Sequence, residues 1–87
     1  MPYIDKKSRE KYDKDLARLR KLINEQTSKG DLTYILYSLA LEYFKGRESY
    51  TKISESIGSL SDAGEEIRRR KLNPYEDKKI KENGDVF

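Results

Sequence analysis

Leu32-Thr33-Tyr34-Ile35-Leu36-Tyr37-Ser38-Leu39-Ala40-Leu41-Glu42-Tyr43-Phe44-Lys45 is the stretch that decides the architecture. Leu32, Ile35, Leu36, Leu39 and Tyr43 recur at helical spacing on one face. Tyr34, Tyr37, Leu41 and Phe44 recur on another, at intervals of three, four and three. Only Thr33, Ser38, Glu42 and Lys45 interrupt the pattern. A helix apolar nearly all round is normally buried all round, and two thinly striped neighbours do not cover it in a chain of this size. The segment therefore predicts a helix over 32–45 that brings copies of the chain together, unless the C-terminal tail and Tyr3-Ile4 fold back over its second face.

Outward from it, punctuation residues divide the rest of the chain. Tyr12, Leu16, Leu19 and Ile23 form one stripe of a helix over about 8–26, with Asp5 or Ser8 as its cap and Gly30 as its stop. Asp31 is placed to cap the middle helix and Gly46 to end it in the left-handed conformation. Ser49 starts a third helix over 50–71, whose stripe is Tyr50, Ile53, Ile57, Leu60, Gly64 and Ile67. Asn73-Pro74-Tyr75-Glu76 signals a fresh start, with a capping Asn, Pro at the first helical position and Glu positioned to bond back. A short tail helix follows, closed by Gly84 and anchored only by Tyr75 and Ile80. The expected fold is all-α: a small three-helix unit over residues 1–72 plus a short C-terminal helix and tail over 73–87, assembled as a homo-oligomeric helical bundle.

Composition narrows the chemistry. Eighty-seven residues make one small core, and 19 Lys and Arg against 16 Asp and Glu leave a net charge of +3, a mild bias toward anionic partners. The chain holds no His, Cys or Trp. Thiol or imidazole nucleophiles and the usual zinc or iron-sulfur ligand sets are therefore excluded, as is any disulfide. No phosphate loop or dinucleotide-binding glycine pattern is present. No apolar run approaches the ~18 residues of a spanning helix. A non-enzymatic protein of the cytoplasm, without cofactor, metal or membrane partner, is the expectation.

The candidate site lies around Arg68-Arg69-Arg70-Lys71, the densest basic run. Helix-dipole preference and pairing of Glu65 with Arg69 and Glu66 with Arg70, each four apart, account for much of it. Arg68 and Lys71 remain for an anion, with Arg69 beside them. Ser54, Gly58, Ser61 and Gly64 form a small-residue face on which an opposing helix or a ligand can press closely, Ser54 and Ser61 then supplying hydroxyls. Tyr75, next to the basic run, and Tyr37, on the second face of the middle helix, are the rings placed to stack on a ligand. Asp62, Glu65 and Glu66 read as a salt-bridged face rather than an acid-base cluster.

Met-Pro-Tyr-Ile at the start and Pro-Tyr-Glu-Asp-Lys-Lys-Ile-Lys-Glu-Asn-Gly-Asp-Val-Phe at residues 74–87 resemble an uncharacterised family of small bacteriophage proteins. The likeness extends through Gly30-Asp31-Leu32-Thr33-Tyr34-Ile35, Ile57-Gly58 and the arginines before Pro74, which is most of the chain. It departs from the family pattern at Thr33, where asparagine is common, and over residues 61–67, which are usually more apolar and aromatic. The resemblance implies a phage setting in the host-cell cytoplasm and no particular activity or catalytic residue. Small phage proteins without catalytic groups often act by occupying host molecules. Three classes follow by analogy: a sponge that sequesters a host nucleotide immune signal, such as a cyclic nucleotide, between subunits; a nucleic-acid binder, for which +3 is low; and a protein inhibitor or adaptor docking through the middle helix or the tail.

Overall fold

A computed structural model describes residues 3–86. Met1 and Pro2, the first half of the Met-Pro-Tyr-Ile start, and Phe87 at the end of the 73–87 tail lie outside the described residues. Among those described, every regular element is helical: α1 (Lys6–Leu22), α2 (Lys29–Phe44), α3 (Tyr50–Ile67), a π turn (Arg68–Leu72) and α4 (Asn73–Asn83). None is long and apolar enough to cross a membrane. The chain divides into two compact units, Met1–Ile35 and Leu36–Phe87.

The first unit holds α1 and the opening turns of α2. Asp5 caps α1, its carboxylate accepting the Ser8 N–H at 2.8 Å. That bond to the Ser8 backbone, with a further one to its side chain, holds the Asp5 carboxyl below its usual range. The helix ends at Leu22 rather than near Gln26, because Asn24 competes for the backbone. Its side chain accepts the Gln26 N–H at 2.8 Å, while its own N–H donates to Thr27 Oγ1 at 3.0 Å. The cap of α2 is Ser28, not Asp31. Ser28 Oγ accepts the Asp31 N–H at 3.0 Å and Asp31 Oδ2 accepts the Ser28 N–H at 3.1 Å, a reciprocal capping box. Gly30 therefore lies inside the first turn of α2 and stops nothing.

In the second unit α2 ends as expected, with Gly46 at φ 77° and the Arg47 side chain donating twice to the Tyr43 carbonyl, at 3.0 and 2.8 Å. Ser49 caps α3 by accepting the Lys52 N–H at 3.0 Å. The expected break between α3 and the tail helix is absent. Asn73 is itself helical (φ −61°, ψ −47°), and its N–H reaches back five residues to the Arg68 carbonyl. Helix thus runs through 50–83 without interruption. Pro74 has no N–H to donate, and in a regular α-helix its ring would press on the carbonyl four residues back. The widened turn immediately before it re-routes those bonds and keeps the axis going. Gly84, at φ 85°, then closes α4.

How α2 meets α3 also differs from expectation. Ser56 is 4% exposed, the only buried side chain among the described residues, and its hydroxyl donates to the Ala40 carbonyl at 2.7 Å. Leu36, Leu39, Ala40 and Tyr43 face Ser56, Ser59 and Leu60 across a groove of about 230 Å³. The small side of α3 therefore receives α2, and most of the apolar stripe of α3 stays outside: Tyr50, Ile57 and Ile67 are exposed, Tyr50 by 88%. Gly58 and Gly64 have open space where a side chain would stand. The close approach expected on the 54–58–61–64 face occurs instead at Ser56.

Candidate functional site

Four consecutive cations sit on the π turn, and one carboxylate organises half of them. Glu66 accepts from both Arg69 and Arg70, three and four residues on. The Arg69 hydrogen bond, then that of Arg70, lowers the Glu66 carboxyl to about 2. The expected Glu65–Arg69 pair does not form; Arg69 turns to Glu66 because that carboxylate bridges two guanidiniums at once. Arg68 and Lys71 carry no ion pair among the described residues. The cluster is thus a fixed pair of arginines flanked by two cations with their donors available.

Tyr75 follows within the first turn of α4, 58% exposed, with the Lys79 ammonium 5.7 Å from its ring centre. The π turn adds a residue to the helical path, so Tyr75 and Lys79 are re-phased against the α3 stripe. An aromatic face and guanidinium donors on one stretch of helix suit a ligand with a flat ring and a phosphate.

The remaining candidates stand apart. Ser54 precedes Arg68 by about 21 Å of helix axis and Ser61 by about 10 Å, at 1.5 Å per residue. Within one chain, Ser54 does not share a small ligand with the basic turn. Tyr37 lies on α2, 59% exposed, outside the groove toward α3. Of the expected site residues, Arg68, Arg69 and Lys71 share the π turn and Tyr75 follows in the first turn of α4, while Ser54, Ser61 and Tyr37 stand apart from them.

A second polar cluster escaped sequence reasoning. Tyr43 is flanked by the Arg47 guanidinium at 5.1 Å and the Lys52 ammonium at 5.4 Å, and its hydroxyl donates to Glu55 Oε1 at 3.2 Å. Lys52 pairs with Glu55 at 3.3 Å. The arrangement ties the end of α2 to the start of α3; its only trace in the sequence is Lys52 and Glu55 three apart, on the side of α3 away from the apolar stripe. Among the described residues no group of three or more acidic side chains is placed to hold a metal ion.

No curated protein and no solved structure matches this chain. One family model matches residues 1–86, and the chain accordingly belongs to the family described as a domain of unknown function, DUF6899.

Proposed function

We propose that this chain is a non-enzymatic phage protein that binds and sequesters a small anionic host ligand, a nucleotide immune signal, as a homo-oligomer. The observation that carries the reading is the basic π turn running directly into Tyr75: Glu66 fixes Arg69 and Arg70, Arg68 and Lys71 keep their donors, and an exposed ring follows Lys71 by four residues. Phosphate is matched by the guanidiniums and a base by the ring. Ser54, Ser61 and Tyr37 then belong to the part of the pocket that a neighbouring copy supplies, which is how the oligomer closes around its ligand. The phage setting rests on the resemblance of the two chain ends, and sequestration on the analogy with small non-catalytic phage proteins.

A thermal-shift panel of cyclic and linear nucleotides tests it. At least one ribose-phosphate ligand is expected to raise the melting temperature, and Arg68→Ala and Tyr75→Ala to abolish most of that rise while leaving the unliganded melting curve in place. A panel without any shift removes the nucleotide reading. Full shifts in both variants move the site away from the π turn.

A further inference from the structure

Glu66 receives both of its arginines on a single atom. Arg69 Nη2 and Arg70 Nε converge on Oε1, from three and four residues further along the helix. A guanidinium carries several N–H donors in a fixed fork, so most of the donor capacity of the two side chains is left over. Both stay open to solvent, 63% and 54% exposed, while the Glu66 side chain is only 24% exposed. The arginines can therefore be reached by a second anion from the solvent side.

We infer that Glu66 is a resident anion which the ligand's terminal phosphate replaces on Arg69 and Arg70, making the basic turn selective for phosphomonoesters over phosphodiesters and carboxylates. The inference rests on the nucleotide reading of the π turn and names the phosphoryl group that the turn takes.

Charge and oxygen count decide the exchange. Glu66 is tethered one turn away and its carboxyl lies at about 2, so it is ionised at neutral pH and competes with every incoming anion. A free carboxylate brings the same charge and must also give up its freedom of motion, so it gains nothing over Glu66. A phosphodiester group is likewise a monoanion with two unesterified oxygens. A terminal phosphate carries about −1.5 to −2 charges near neutral pH and three strong acceptor oxygens. It offers each arginine an oxygen of its own in place of the shared Oε1. Arg68 and Lys71, without an ion pair among the described residues, add to the preference for the higher charge. Release of Glu66 costs little, since exposed pairs three and four residues apart on a helix are weak.

The isotope-labelled chain is titrated with adenosine monophosphate and, separately, with cyclic adenosine monophosphate, which share base and ribose and differ in phosphate charge. The guanidinium N–H signals of Arg69 and Arg70 report the site, and their titration gives Kd. Wild type is expected to bind the monoester and to respond little to the diester. Glu66→Gln is expected to bind the monoester about three- to tenfold more tightly and to lose part of its preference over the diester. Glu66→Ala repeats the measurement without an amide carbonyl for the arginines to donate to. Glu65→Gln removes the same charge from a side chain that has no ion pair among the described residues, and is expected to keep the wild-type preference. Equal binding of both ligands by wild type overturns the exchange and leaves the nucleotide reading standing. So do Glu66 variants that bind the monoester no more tightly than wild type, or a Glu65→Gln gain as large as theirs. Guanidinium signals that respond to neither ligand, in wild type and in both Glu66 variants, overturn the exchange together with the placing of the ligand on the π turn.

Discussion

Helix α2 and the π turn treat their surplus in opposite ways. The turn concentrates four cations, and a single carboxylate one turn earlier pairs two of them within five residues of chain, leaving Arg68 and Lys71 beside the fixed pair. On α2 the surplus is apolar, and nothing comparable happens: among the described residues no apolar side chain is buried, and Tyr34, Tyr37 and Leu39 are each more than half exposed. Charge is neutralised by a neighbour on the same helix, since partners three or four residues apart already touch. Apolar surface is relieved only by area, which one helix cannot provide for itself. Local sequence therefore fixes half of the basic turn and leaves much of the apolar surface of α2 exposed.

The largest effect expected from a single residue lies where α2 does find an intrachain surface. Ser56→Leu adds three carbons at the one side chain buried among the described residues and removes the hydroxyl donated to Ala40. Overfilling a tight contact and losing a hydrogen bond together place the loss at about 2–3 kcal/mol, read as a lower denaturation midpoint in urea. A neutral Ser56→Leu would mean that the α2–α3 contact does not hold in solution, and the contrast between an engaged and a free stripe on α2 would collapse.

Gly58→Ala probes the other side of α3 with a gain of smaller size. A methyl group there meets nothing within 4 Å in this chain, so relief of the glycine penalty should stabilise the helix by up to about 1 kcal/mol. The same holds at Gly64. Stabilisation sharpens the comparison, since it shows that nothing presses on the 58–64 face while α2 is the helix with an engaged side. Destabilisation of either variant would show that another surface presses on the 58–64 face, restoring the close approach that its small residues suggest.

What the sequence made legible follows the same division between local and distant causes. Asp5, Gly46, Ser49 and Gly84 act as read, because caps and left-handed glycines depend on atoms within a few residues. Ser28 and Asp31 were separable only by which of two mutually bonded partners stands outside the helix. Asn73-Pro74 carries the signal of a helix start, yet the missing proline donor is equally well absorbed by a π turn, and only the continuing helix selects between them. The run Arg68–Lys71 was legible as a basic cluster, though the choice of Glu66 over Glu65 for Arg69 was not. Ser56 was hidden for a different reason. A serine beside an apolar stripe reads as a solvated flank until the helix it receives is in place.

The smallest effect is electrostatic and tests whether Glu66 holds two of the turn's four cations as its geometry implies. Glu66 drops from an ordinary 4.5 to about 2 through the Arg69 and Arg70 hydrogen bonds. A carboxyl whose folded value lies below its unfolded one stabilises the fold fully above the unfolded value, and that contribution fades as pH falls toward the folded value. Stability should therefore decline between about pH 4.5 and pH 2, and Glu66→Gln should flatten that part of the acid limb, since an amide does not titrate. The Glu66 side chain keeps 24% of its surface exposed, so salt should weaken the pairing and shrink the difference between wild type and variant. An acid limb identical in the two proteins at low salt would mean that Arg69 and Arg70 do not hold Glu66 in solution; all four cations would then be available to a ligand, and the turn would be as incomplete on its own as α2.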